Sequence, residues 1–304
     1  MSGLARFAAR RLAIAIVFVL AVSLSAIALV RLAPGDPTAD MRITGASPTE
    51  IAVERHRLGL DRSVWSHASG WMLGLARLDL GESSKFGRPV AGLVAERMAN
   101  TAWLASLALL LAVILGLPLG VITGTRPRSL IASVVTFVSL ILVCCPPIIG
   151  TLALLFIAAS THWMSIDPGA IALPTLALGL PLAAMLERLQ SQAIAEAYES
   201  PGIAAAAARG VPPLRLVWLH AGRRSLRSVL GVAGIAIATL FSGSIVVESI
   251  TSWPGLGWLM REALAGRDLF LVAGCTLAGA AMLAAANFIA DVLRAAADPS
   301  VGHA

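Results

Sequence analysis

The chain holds a single lysine, Lys85, set between Ser84 and Phe86. A phosphate-cradling loop needs Gly-Lys-Ser/Thr, because the lysine must reach the phosphates from a glycine-rich turn. Hydrolysis of ATP by that route is excluded. No His-Glu-x-x-His occurs, so a zinc-type intramembrane protease lacks its ligands. His56 and His67 lie near Glu54 and Asp61 but on separate predicted helices, and they read as exposed surface histidines, with His162 and His303 in a loop and a tail. Cys144, Cys145 and Cys275 fall in uncharged runs with neither disulfide nor metal-ligand spacing, and read as small buried side chains. No pair of aspartates occupies two predicted spans. Glu248 and Asp291 stand at span ends, where a solvated carboxylate is expected rather than a buried proton relay. Metal binding and covalent catalysis are not what these residues offer.

One basic stretch offers recognition instead: PGIAAAAARGVPPLRLVWLHAGRRS, residues 201–225. Residues 204–208 are all alanine, a strong helix former, and Gly210 is placed to end that helix in a left-handed conformation. Pro212 and Pro213 suit the first turn of a second helix over 214–222. Two short helices meeting at a Gly-x-Pro-Pro corner make a rigid elbow. Its alanines admit a closely approaching partner, and its arginines suit the headgroup region.

The elements that position the elbow are membrane spans. Hydrophobic residues make up 58% of the 304 and charged ones only 13%, well below the soluble norm. Uncharged runs occupy 12–30, 98–125, 129–166, 168–186, 228–247 and 269–290. Even a 19-residue run spans roughly 28 Å as helix, close to the hydrocarbon thickness. Six spans are expected, the third ending near Ser160. The first run follows Arg6, Arg10 and Arg11, exceeds a signal core in length, and reads as a retained helix. With the N-terminus inside, the inner segments collect Arg6, Arg10, Arg11, Arg126, Arg128, Arg188, Arg209, Arg215, Arg223, Arg224, Arg227 and Arg294, while the short outer loops hold only Arg261 and Arg267. Long outer segments cross regardless of charge, so both termini are expected in the cytoplasm. The net charge of +6 is a topology signal and calls for no nucleic acid.

The long outer segment, 32–97, reads as helices lying on the outer surface. Ser47, Pro48 and Glu50 open one that should stop at Gly59. Val64, Trp65, Ala68, Trp71, Met72 and Leu75 give a second, ended by Gly81. A third short helix, GRPVAGLVAERM, leads into the second span. Pro118, Pro146, Pro147, Pro174 and Pro181 fall in or beside spans, as expected either of kinked, mobile helices around a pathway or of simple packing kinks.

The run ARGVPPLRLVWLHAGRRSL resembles the cytoplasmic coupling ("EAA") loop of ABC importer permeases of the dipeptide, oligopeptide and nickel family. Ala206, Ala208, Arg209 and Gly210 match the A-x-A-K/R-G of that loop, and His220, Ala221, Arg223 and Leu226 match its H-A-L-R-N-A-L. Ala207, Gly222, Arg224 and Ser228 depart from it. RLAPGDP (31–37), LGLDRS (58–63), LDLGESSKFGRPV (78–90), SWPGLG (252–257) preceded by Glu248, and DVLRAAADPSV (291–301) resemble further family signatures in the same order. CCPPIIG (144–150) follows the pattern only loosely.

The resemblance implies an all-α integral membrane protein, a B-type permease subunit with six transmembrane helices and cytoplasmic termini in the bacterial plasma membrane. Its parts would be 1–31 with the first helix, 32–97 as an extracytoplasmic helical segment, and 98–304 as a five-helix permease core. The coupling loop would cover 188–227, between helices 4 and 5. Coupling to ATPases would fall to Ala205, Ala206, Ala208, Arg209, Gly210, Leu214, Arg215, His220 and Arg223. The outer gate and binding-protein docking would fall to Pro34, Gly35, Asp36, Glu248, Trp253, Pro254 and Gly255. The implied partners are a second, C-type permease, two ABC ATPases, an extracytoplasmic solute-binding protein and membrane lipid. The chain would bind no metal or cofactor, ATP and Mg being used by the ATPases. Without a His- or Met-rich pathway the substrate leans to peptides over nickel or metal chelates. A stand-alone channel or secondary transporter would show inverted repeats, but the elbow and the outer segment each occur once. A membrane-anchored assembly factor would not need the coupling-loop signature.

Overall fold

The structure, a computed structural model, describes residues 2–32, 45–57, 71, 73–75, 77, 79–167 and 169–297. In chain order its helices are α1 (Ser2–Leu32), α2 (Pro48–Arg57), α3 (Val90–Thr125), α4 (Leu130–Cys144), α5 (Pro147–Thr161), α6 (Ala172–Tyr198), α7 (Pro201–Ala208), α8 (Pro213–Arg215), α9 (Gly222–Gly231), α10 (Ala233–Thr251), α11 (Leu256–Ala265) and α12 (Leu269–Ala297), with a π-helical turn, Leu216–Ala221, between α8 and α9. The chain divides into two compact units. One is built from residues 2–12, 102–253 and 285–297, the other from 254–284 and the described residues of 13–101.

Among the described residues five helices, α1, α3, α6, α10 and α12, are long and apolar enough to cross a membrane. The expected third span takes a different form. It breaks at Cys145 and Pro146 into α4 and α5, bent by 113°, so the candidates number six only if the bent pair is one span. Each piece has 15 residues and reaches only ~22 Å. Pro146 cannot donate to the preceding turn, and Pro147 takes the first position of α5, so the bend sits where two prolines meet. The bend leaves Cys144 exposed and Cys145 half-buried, correcting the buried-core reading for both, whereas Cys275 is buried. α5 then ends at Thr161, as the expected boundary near Ser160 required.

In the first unit α6 is the axis against which α4, α5, α9 and α10 pack. Part of the reason lies on α3, where Gly116, Gly120 and Gly124 recur every fourth residue. A Cβ on them would lie 2.6 Å from the Ala183 oxygen, 2.6 Å from the Glu187 oxygen and 2.5 Å from the Ser191 oxygen. Only glycine lets the two backbones approach this closely, the small-xxx-small packing of membrane helices. Leu104, Ala108, Ala112, Leu178, Leu182 and Leu240 fill the core beside this ridge. Arg11 of α1 pairs with Asp291 of α12 at 3.1 Å, so Asp291 meets a cation in place of the open solvent expected of a free span end.

The second unit has its own core, including Trp71, Val90, Leu93, Leu259 and Leu271. Trp71 packs helices, as its place in the outer-segment pattern suggested. The third outer helix is not separate: α3 starts at Val90 and runs without a break for 36 residues. At α2 the cap forms as expected, the Ser47 N–H donating to Glu50 Oε2 at 2.8 Å and the Glu50 N–H to Ser47 Oγ at 3.3 Å. RLAPGDP beyond Leu32, LGLDRS and Trp65 lie outside the described residues.

Candidate coupling site

α6 carries the chain past its apolar run to Tyr198, and Ser200 turns it into α7 with Pro201 in the first position. α7 therefore begins before the alanines and ends with them. Its end is a Schellman motif. Gly210 has φ +80°, its N–H donates to the Ala207 oxygen at 2.9 Å, and the Val211 N–H donates to the Ala206 oxygen at 3.3 Å. Val211 packs inward beside Ala206, the apolar contact that accompanies this motif. Pro212 is extended at ψ 144° and Pro213 starts α8, as the sequence predicts.

The second arm departs from the expected plain helix. From Leu216 to Ala221 the hydrogen bonds close over five residues, the Gly222 N–H reaching the Val217 oxygen. His220 Nδ1 lies 3.2 Å from the Arg215 oxygen, the same five-residue spacing. The helix then continues as α9 to Gly231 rather than stopping at Gly222.

Burial sorts the expected contact residues into two groups. Ala205, Ala208, Arg209, Gly210, Leu214, Arg215, His220 and Arg223 are exposed, Leu214 at 74%. Ala206 is the correction. It is 1% exposed, closed in by Val121, Ile194, Ala197, Ile203, Leu216 and Ala221, so it holds the elbow onto α3 and α6 and offers no partner surface. The sequence reading passed over Trp218 and Leu219, both exposed next to the arginines. A cleft of about 600 Å³ opens between the arms, lined by Ser200, Gly202, Ile203, Leu219, His220, Arg223 and Arg224. Two guanidinium groups make it suited to acidic groups of a partner.

Behind the elbow is a polar seam that the sequence reading also missed. Glu187, 1% exposed, accepts from the Thr123 hydroxyl at 2.6 Å. Gln190, one turn further along α6, donates to the Ser225 hydroxyl of α9 at 2.9 Å. A signal was available: Glu187 is the residue at which the uncharged run 168–186 stops, and Gln190 follows at helical spacing.

The expected outer site divides differently. Pro34, Gly35 and Asp36 lie outside the described residues. In the first unit, Glu248 and Trp253 are both buried, which corrects the solvated-carboxylate reading of Glu248 and leaves neither as docking surface. Ser252 has φ +54°, and the Trp253 N–H returns to the Glu248 oxygen at 3.1 Å. In the second unit, the Pro254 oxygen accepts from Asn100 Nδ2 at 2.7 Å and Arg97 Nη1 at 3.1 Å. The Leu256 N–H donates to the Thr101 hydroxyl at 2.7 Å, and Gly255 is buried as the N-cap of α11. SWPGLG thus ends in a turn held by the start of α3.

Below that turn, Lys85 Nζ meets Glu262 Oε2 at 2.7 Å. The Ser83 hydroxyl and the Lys85 N–H donate to Asp268 Oδ2 at 2.6 and 3.1 Å. The hydrogen bond from Lys85 holds the Glu262 carboxyl below its ordinary value of 4.5, against a smaller upward push from desolvation. The lone lysine therefore has a structural partner.

Residues 116–303 match the family model described as binding-protein-dependent transport system inner membrane component, and residues 4–105 match the model for the N-terminal part of such components. Among curated relatives, the di/tripeptide transport system permease protein DppB of Pseudomonas aeruginosa (strain UCBPP-PA14) is 32% identical over 331 residues, covering 98% of each chain. The dipeptide transport system permease protein DppB of Escherichia coli (strain K12) is 29% identical over 341 residues, covering 98% of this chain and 99% of that one.

Proposed function

The chain belongs to the family of inner membrane components of binding-protein-dependent transport systems, and on that premise we propose that it is one of two permease subunits of an ABC importer for peptides. As a family member it is a multi-pass inner membrane protein and a transport component, not an enzyme. The finer reading is ours. A second permease completes the pathway, two ATPases dock from the cytoplasm, and an external binding protein delivers substrate. The arginine distribution supports cytoplasmic termini and an outer location for 32–97. The names of the relatives support peptides over nickel chelates.

The observation that carries the coupling role is the elbow. α6 runs on from a span, turns through α7 and Gly210, and returns through α9 toward α10, so a push on the exposed corner acts on two spans at once. ATP closure of the ATPases would move that corner and switch access from one side of the membrane to the other.

The test is uptake of a labelled dipeptide by cells that carry or lack this chain, with the other transporter genes intact. Uptake should be lost without the chain and restored by it, with nickel uptake unchanged. Equal dipeptide uptake in both strains, or a selective loss of nickel uptake, would refute the substrate reading. A fluorescent reporter active only in the cytoplasm, fused at the C-terminus, should be bright. Darkness there would invert the topology.

A further inference from the structure

We infer that Glu187, Gln190 and Ser225 are positioning residues of the transport cycle, a polar seam through which the elbow's second arm moves α6 and, with it, α3. This rests on the coupling reading of the elbow and adds the path by which motion leaves it.

The seam has two halves. On one side, the Thr123 hydroxyl of α3 donates to Glu187 Oε1, at the glycine ridge where the α3 and α6 backbones touch. With Gly120 and Gly124 against Glu187, Gln190 and Ser191, these two helices have no slack between them and move together. On the other side, one directional bond joins α6 to α9, from Gln190 Nε2 to the Ser225 hydroxyl, which itself donates to the Gly222 oxygen at 2.9 Å. Gly222 closes the π-helical turn, so this hydroxyl connects the end of the elbow to the span. All four side chains, Thr123, Glu187, Gln190 and Ser225, are at least 95% buried.

The network is only half satisfied. Glu187 Oε2 and Gln190 Oε1 are buried and have no donor among the described residues. A buried acceptor without a donor carries the full cost of its desolvation, so an arrangement that supplies one competes with the arrangement seen. The two lie one turn apart on α6, in the seam that meets α3 and α9. On this proposal the unpartnered acceptors give the seam a second arrangement in the transport cycle, the two-state element through which coupling between distant sites runs. An apolar contact at the same place would hold α9 without distinguishing one arrangement from the other.

The test uses the complete transporter in proteoliposomes and reads labelled dipeptide taken up per ATP hydrolysed. Gln190→Leu and Ser225→Ala each remove the bond, and Ser225→Thr keeps the hydroxyl. Gln190→Met removes the N–H donor at similar length without adding a charge, and replaces the leucine variant if that one fails to assemble. Each single removal should lower the ratio roughly tenfold, within the usual range of coupling between sites, while assembly and hydrolysis persist. The double variant should fall no further than the singles, and Ser225→Thr should match wild type. A wild-type ratio in the single variants, or a double loss equal to the product of the two, overturns the seam. Failure of the functional reading would appear in the wild-type transporter itself, and failure of the seam only in these variants.

Discussion

Replacing Gly210 by valine alters one backbone torsion and nothing else nearby. No heavy atom lies within 4 Å of where a Cβ would stand, so the change meets no clash. What remains is φ +80°, a conformation that L side chains, and β-branched ones above all, rarely adopt. Left-handed backbone costs about 1–2 kcal/mol for an ordinary residue, a factor of about 5–30 in the population of the intact corner. Opening it would release the Gly210–Ala207 and Val211–Ala206 hydrogen bonds together, each contributing about 0.5–1.5 kcal/mol. The spans do not depend on this corner, so Gly210→Val should insert and accumulate normally. ATPase co-purification and dipeptide uptake, measured at matched membrane abundance, should both fall several-fold. Gly210→Asn, which tolerates left-handed backbone better, should retain most of both. Full uptake by the valine variant would mean that the corner does not transmit, and the coupling role of the elbow would be abandoned.

Ala206→Glu should fail in folding rather than in docking. It forces a carboxylate into a closed apolar cluster and should reduce accumulated protein, whereas Ala205→Glu should accumulate fully yet lose ATPase co-purification; equal abundance of the two would contradict the burial assignment. Gly120→Val places a side chain where 2.6 Å is available and should destabilise by about 1–3 kcal/mol or more, read as a lower thermal midpoint in detergent; an unchanged midpoint would mean that α3 and α6 can part freely. Glu262 has a depressed folded value, so its tie to Lys85 contributes above its unfolded value near 4.5 and is lost as pH falls through the folded value. Wild type should therefore exceed Glu262→Gln in thermal midpoint at pH 7, with the gap closing as pH falls below 4.5 and on through the lower folded value; a gap constant with pH would rule out the ionised pair as its source.

The spans were legible because lipid demands long uncharged runs, and hydropathy reports that demand directly. The elbow was legible because its corner depends on local rules: alanines for α7, glycine for left-handed backbone, and prolines for a first turn. Three features escaped in whole or in part. Pro146 and Pro147 marked a kink, but its 113° size was not legible, because the apolar run continues through it and hydropathy carries no direction. Ala206 looked the same as Ala205 in a run of alanines; only packing against Ile194 and Leu216 separates them. Glu187 went unread because it stands where an uncharged run ends, the place where a solvated carboxylate is expected. The glycine ridge on α3 and the Thr123 hydroxyl are what allow that carboxylate to sit inside.

The π-helical turn carries a rotational consequence. It accommodates one more residue per hydrogen-bonded ring than an α-turn, without changing the direction in which the following helix faces. If Leu216–Ala221 closed as α-helix with the same residues, everything from Gly222 onward would swing by roughly 100° about its axis. Ser225 would leave Gln190, and the arginine pair beside the cleft would sweep round the helix. Exchanging five-residue for four-residue hydrogen bonds in this one turn would thus turn the arm and lengthen it by about one residue's rise, ~1.5 Å.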